Sequence, residues 1–177
     1  MTSPHDQSHY QVRFDWGRAG ADTVARDADA VVLVDVLSTS PALALPGHPL
    51  VVTGGFRNRT AVAQWVLERQ AEKGDRCLVA VIAAGDVRED GSIRFAVEDL
   101  LAAGAIIDAL ATAGIDFVSP EGAAACAAFT GLRGAVAHLA TASSSGHELV
   151  SLGRGDEIAP AMELDVSSEV SLLGQVT

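Results

Sequence analysis

Val31–Ser40 reads VVLVDVLSTS, and this stretch decides the fold. Three valines and a leucine run together with no polar alternation. That is the pattern of a strand buried on both faces, as in a parallel sheet covered by helices. The run ends at a single aspartate, Asp35, followed by hydroxyl residues at Ser38, Thr39 and Ser40 and then by Pro41. Ser40-Pro41 reads as a helix N-cap and its first residue. Asp35 is thereby placed at the carboxyl end of a central strand, where the ligand sites of open α/β sheets gather. A lone aspartate after a strand is also a common turn former, and both readings stand.

Outward from this strand the chain alternates strand and helix patterns. Gln11–Trp16 alternates and carries Val, Phe and Trp, which predicts a strand at a sheet edge. Gly17–Asp29 holds a short helix with Ala21, Val24 and Ala25 on one face. Ser40–Leu45 has room for at most a short helix before Pro46-Gly47, and Leu50–Thr53 is the next strand. That connection is close to the minimum for a parallel crossover, about a dozen residues. The loop Gly54-Gly55-Phe56-Arg57-Asn58 leads into a helix over Arg59–Lys73, with Asn58 as N-cap and Gly74 as C-cap. A helix N-terminus behind such a loop favours anions, and Arg57 adds a fork-shaped donor. A plain strand–helix turn is the competing reading.

Cys77–Ala83 predicts a third buried strand, ended by Ala84-Gly85. Arg88–Ser92 is a polar turn centred on Asp90-Gly91. Ile93–Leu110 predicts a long Ala/Leu-rich helix in which Gly104 permits close packing. It carries adjacent Glu98 and Asp99, which point about 100° apart, so at most one faces the core. The alternative is a solvent-facing pair. Helices are expected over Glu121–Phe129, Leu132–Thr141 and Asp156–Leu164. Ser143–Gly146 reads as a hinge or binding loop before a short helix at His147–Leu152, and Gly153–Asp156 as a turn. Val166–Leu173 closes as an edge strand.

The totals bound the function. With 177 residues, 49% hydrophobic and 20% charged, the chain is one globular domain after a disordered arm over residues 1–10. A net charge of −11 argues against a nucleic-acid surface, though a local pocket can still oppose the global field and take an anion. Cys77 and Cys126 lack metal-ligand spacing and read as reduced core thiols of a cytoplasmic protein. No apolar stretch is long enough to span a membrane, and MTSPHDQSHY lacks a signal-peptide core. There is no GxSxG, HExxH, P-loop or GxGxxG. Of the five histidines, His138 lies on an Ala/Leu helix and only His147 is near a candidate site.

Five stretches taken together resemble the 2-phosphosulfolactate phosphatase family. They are Val12–Gly17 (VRFDWG), Val31–Ser40, Gly54–Trp65 (GGFRNRTAVAQW), Val79–Ile106 and Ser143–Val170, in the family's order. The resemblance implies an α/β/α three-layer sandwich with a mostly parallel sheet. It also implies Mg²⁺-dependent hydrolysis of the phosphate ester of phosphosulfolactate, a step of coenzyme M synthesis, or of a similar small phosphorylated acid. Position by position it puts weight on Asp35 and Glu98 as catalytic and, with Asp99, as metal-binding residues. Ser38, Ser40, Asn58, Gly85, Ser145 and Gly146 fall on substrate-binding positions, beside Arg57. Carboxylates are the hard ligands that Mg²⁺ takes, one or two of them with waters and phosphate. Attack by a metal-activated water and attack by an aspartyl nucleophile both remain open.

Two departures matter. Ser38 stands where the family commonly has Arg. Several dozen residues that the family carries between the DVL motif and the GGFRN loop are missing, and the short crossover is their trace. Besides the phosphatase, two alternatives follow. One is a catalytically degenerate member acting as a binding or interaction protein. The other is a hydrolase of a different phosphoester whose pocket is completed in a homo-oligomer, since a missing strand leaves an edge to cover.

Overall fold

The apolar run at Val31 forms the strand that its composition demands. β2 (Ala30–Val34) is buried at every position and lies inside a four-stranded parallel sheet. The other strands are β1 (Val12–Trp16), β3 (Val51–Gly54) and β4 (Val79–Ala83), in the order β1-β4-β2-β3. Val31 pairs with Val51 on one side and with Ala80 on the other. The computed structural model describes residues 4–39, 43–48 and 50–173. Ser40 and Pro41, read as a helix start, lie outside the described residues, and residues 43–45 are irregular rather than helical.

Side chains alternate between two cores. Val32, Val34, Val52, Val79 and Val81 face the larger one. It is closed by α2 (Arg59–Lys73), α3 (Val97–Thr112) and α4 (Pro120–Leu132). Val31, Leu33, Val51, Ala80 and Ile82 face the smaller one, covered by α1 (Gly17–Val24) and by Leu45 of the β2–β3 crossover. The fold is thus a three-layer α/β/α sandwich with one thin layer. Among the described residues the β2–β3 crossover contributes no helix to that layer, which α1 and Leu45 cover. α1 and the crossover carry the chain across one face, and α2 and α3 carry it back across the other. This keeps every parallel connection in the same hand. It also opens crevices beyond the carboxyl ends of β2, β3 and β4.

The sheet edges are managed from far along the chain. Val118 bridges to Val12 at the β1 edge. The Gln7 side chain donates to the Phe14 carbonyl (2.9 Å) and accepts from its N–H (3.0 Å), as a strand backbone would. Of the arm expected to be disordered, residues 4–10 therefore carry defined contacts. Arg13, fully buried on β1, ties this region further. It donates to the carbonyls of Tyr10 and Val24 and pairs with Asp27. At the opposite edge only Leu172 of the expected closing strand bridges to β3, antiparallel.

Two boundaries differ from the sequence reading. Asp86–Val87 (β5) and Ile93–Arg94 (β6) form a small antiparallel hairpin, so α3 starts at Val97 rather than Ile93. The Asp90-Gly91 turn, with Gly91 at φ +81°, reverses the chain there and claims Ile93 for the hairpin. Ser143–Gly146 is not a loop: Ser143 caps α6 (Ser144–Ser151), its hydroxyl accepting from the Gly146 N–H at 3.0 Å. α6 follows α5 (Val136–Ala142), and only a short α7 (Ile158–Ala161) forms within the last helix expected. The run Pro120–Ala142 is long and apolar enough, by length and composition, to cross a membrane, which corrects the expectation that no such stretch exists. Its inward residues Gly122, Ala125, Phe129, Val136 and Ala140 are buried. Cys77 and Cys126 are free, and burial pushes the Cys77 thiol up to about 11.

Gly104 sets the spacing of α3 and α4: a Cβ there would lie 2.1 Å from the Ala125 carbonyl oxygen. Alanine is the better helix former by about 1 kcal/mol. Gly104→Ala is nevertheless expected to lower stability by about 1–3 kcal/mol through overpacking, read by urea unfolding. A stabilised variant would mean that the two helices do not approach this closely.

Candidate active site

Three chain reversals meet beyond the carboxyl ends of β2 and β4. The first follows β2 as Asp35-Val36-Leu37-Ser38. The second follows β4 as Ala84-Gly85, where Gly85 adopts φ +62°. A Cβ at Gly85 would come within 2.9 Å of the Arg94 carbonyl oxygen, so the position takes glycine on both counts. The third is the first turn of α3, which carries Glu98 and Asp99.

Asp99 joins all three. One carboxylate oxygen accepts from the Val36 N–H (2.9 Å), the other from the Gly85 N–H (2.9 Å). The sequence argument that at most one of Glu98 and Asp99 faces inward is overturned, since they are 2% and 3% exposed. Successive residues diverge around a helix axis. At a helix N-terminus tucked under two strand ends, however, both directions are enclosed. Burial pushes the Asp99 carboxyl up to about 8; its two backbone hydrogen bonds oppose this, and the charges of Asp35 and Glu98 add to it. Asp35 is raised in the same direction, first by burial, then by Asp86 and Glu98, against a hydrogen bond from Ser38. Glu98 keeps one carboxylate oxygen, Oε2, buried without a hydrogen-bond partner.

These residues line a cavity of about 90 Å³ with Ser38, Thr39, Gly85, Asp86 and Ser145. Four carboxylates face it and none of its lining residues is Lys or Arg. Arg94, in the hairpin beside it, is paired with Asp86, which holds that carboxyl below its usual range. Asp35 is also a wall of two flanking chambers. One, of about 260 Å³, is lined by the glycine loop, Arg57, Asn58 and Ser167, Glu169 and Ser171 of the tail. The other, of about 230 Å³, is lined by Ser38, Leu149, Arg154, Glu157 and Ala161.

Such a crevice, at the carboxyl ends of parallel strands and rich in carboxylates, suits chemistry on an anion brought in with a cation. A family model described as 2-phosphosulpholactate phosphatase matches residues 39–175. The chain belongs to this family. Comparison with curated proteins returned no match. The family name denotes phosphoric monoester hydrolysis, in the context of coenzyme M biosynthesis, and gives this phosphatase-family chain a 2-phosphosulfolactate phosphatase-like function. The matched range starts at Thr39, so Asp35 and Ser38 lie just before it.

In this phosphatase-family chain the residues singled out from sequence separate into groups. Asp35, Ser38, Gly85, Glu98, Asp99 and Ser145 share the carboxylate cavity. Arg57 and Asn58 line the glycine-loop chamber. Asn58 occupies the N-cap position of α2 without a side-chain cap bond. Its Oδ1 accepts from the Gly55 N–H (2.9 Å), and its Nδ2 donates to the carbonyls of Thr53 and Glu169. The cap comes from the tail, where Asp165 accepts from the Thr60 N–H (2.9 Å) and from Arg59. The positive end of α2 is thus met by the chain's own carboxylate, which corrects the reading of that terminus as an open anion site. Gly146 packs into the α5–α6 turn, where a Cβ would sit 2.1 Å from the Ala140 carbonyl oxygen. Ser40 lies outside the described residues. Sequence reasoning missed Asp86, Arg154 and Glu157. Arg154 sits in a glycine-flanked turn, and its charge was the one available signal.

Asp99 and Asp35 fix the pH dependence of stability. A folded-state pKa above the unfolded 3.8 means that the native state holds the proton more tightly. The Asp99 contribution is complete below about pH 4 and is lost as the pH rises through about 8, and that of Asp35 has the same sign. Unfolding free energy in chelator is expected to fall by on the order of 1–3 kcal/mol between pH 5 and 8.5. Urea titrations at several pH values check this; a flat or rising profile would show the carboxylates to be solvated.

Proposed function

We propose that the chain is a Mg²⁺-dependent phosphatase acting on 2-phosphosulfolactate or a similar small phosphorylated acid. The observation that carries the reading is the carboxylate cavity with the unpartnered Oε2 of Glu98. A phosphate entering it alone would meet four acidic side chains and no Lys or Arg among the described lining residues. With a divalent cation it would meet a neutralised site.

The residues present fit that ion. Among the described residues no group of three His, Cys, Asp or Glu side chains could hold a metal by itself. Mg²⁺ does not require one, because it keeps several waters and takes one or two carboxylates plus phosphate oxygens. Asp35 and Glu98 are those two carboxylates. Both oxygens of Asp99 already accept backbone N–H groups, so Asp99 serves by holding the turns after β2 and β4. When bound, the ion supplies charge neutralisation and polarisation of the phosphoryl oxygens.

The chain's own groups do the rest. Asp35, shared by all three chambers, contacts the reacting phosphoryl group, and its hydrogen bond with Ser38 orients the carboxyl. The hydroxyls of Ser38 and Ser145 face the phosphate oxygens. Arg94 stays with Asp86 at the side of the cavity and keeps that carboxyl ionised.

Phosphate release from 2-phosphosulfolactate by the purified protein, with Mg²⁺ and with EDTA, tests the reading. Chelation is expected to abolish turnover, and Asp35→Asn or Glu98→Gln to lower kcat by about 10²-fold or more. Turnover indifferent to chelator and to both substitutions would refute it. A cooperatively folded protein that binds the ester without releasing phosphate would be the binding protein of the alternative reading.

A further inference from the structure

We infer that Arg154 recognises the second acidic group of the substrate, the carboxylate or sulfonate that a phosphorylated acid carries beside its phosphate. Glu157 is the internal anion that it exchanges for this group. The inference rests on the phosphatase reading for its choice of ligand, and on the following geometry for its choice of residue.

The carboxylate cavity is closed to a second free anion by its own four acids. The group must therefore lie in a flanking chamber, and among the described residues the walls of the two chambers contain two cations, Arg57 and Arg154. Arg57 is occupied as a tie across the fold. It donates to the Pro160 carbonyl and to Glu163 (3.3 Å). Its chamber shares only Asp35 with the carboxylate cavity. The Arg154 chamber shares Asp35, Leu37 and Ser38 with it, so a molecule with its phosphate beside Ser38 extends directly toward Arg154. Leu149 and Ala161 give this chamber an apolar wall for a short carbon skeleton.

The guanidinium is already posed for an oxyanion. Nε meets Glu157 Oε1 at 2.7 Å and Nη2 meets Oε2 at 2.8 Å, the two-pronged geometry that also fits a carboxylate or a sulfonate. The pair is exposed and spaced i,i+3, a class of ion pair that contributes little. An incoming anion can therefore replace Glu157 at small cost.

The test is calorimetric binding of 2-sulfolactate, which has the second acid but no phosphate, and of inorganic phosphate, each with Mg²⁺. The proteins are wild type, Arg154→Gln, Arg154→Lys, Glu157→Gln and, as a control, Arg57→Gln. Arg154→Gln is expected to weaken 2-sulfolactate at least about tenfold and to leave inorganic phosphate within about twofold. Arg154→Lys should restore only part of the loss, because the fork is gone. Glu157→Gln should tighten 2-sulfolactate by removing the competing anion. Unchanged 2-sulfolactate affinity in Arg154→Gln, no binding by wild type, or a loss confined to an Arg57→Gln control would overturn the assignment. The phosphate-release assay separates the two claims. Binding through Arg154 without phosphate release keeps this inference and removes the phosphatase. Turnover of phosphosulfolactate with KM unchanged in Arg154→Gln does the reverse.

Discussion

The carboxylate of Asp99 takes one N–H from the turn after β2 and one from the turn after β4, and the site is built on that bracket. Two adjacent strand ends would otherwise leave these donors exposed to a cavity. A buried donor without a partner is costly, and the acceptor that meets both is itself an acid whose charged form resists burial. The first turn of α3 makes this tolerable, because the positive end of a helix favours an acid there. Fixing Val36 fixes Asp35 one residue before it, and fixing Gly85 sets the floor of the cavity. Glu98, one residue before Asp99, is carried into the same enclosure. The crowding of acids is thus a consequence of how the sheet ends are joined.

That arrangement gives the family's phosphate chemistry a particular electrostatic form. The chain carries a net charge of −11, and the cavity is more acidic still. Cations stand around it rather than in it, each matched to an acid: Arg94 to Asp86, Arg57 to Glu163, Arg154 to Glu157. Even the N-terminus of α2 is met by Asp165. The described cations nearest the cavity are thus already engaged by the chain's own carboxylates.

The parts legible in the sequence were those set by local pattern. The apolar runs ending at Val34 and Ala83 announced strands buried on both faces, and the 3.6-residue periodicity with Gly74 behind it fixed α2 to its boundaries. That Asp35, Ser38, Gly85, Glu98, Asp99 and Ser145 belong to one site came from the family resemblance rather than from local pattern, and they do line one cavity. What escaped depended on partners remote in sequence. Asn58 looked like a cap because nothing local shows that Asp165 takes the task. The joint burial of Glu98 and Asp99 required knowing that two strand ends enclose the start of α3. Ile93 had the composition of the helix but was captured by the Asp90-Gly91 reversal. Arg154 offered only its charge in a glycine-flanked turn, and nothing local shows that it lines one chamber with Ser38.

The tail has a consequence for how the molecule comes apart. Segment 165–173 supplies the cap of α2, accepts from Asn58 through the Glu169 carbonyl and pairs with β3 through Ser171 and Leu173. It makes these contacts with partners more than a hundred residues earlier, and without a helix of its own. Such a strap can detach while the four-stranded sheet remains paired, a local opening well below the cost of global unfolding. Detachment would strip away the wall formed by Ser167, Glu169 and Ser171 and leave the carboxylate bracket intact. The glycine-loop chamber thus has an outer wall that can open locally. Hydrogen exchange would see its outer wall dissolve and re-form while the amides of Val36 and Gly85 stay closed.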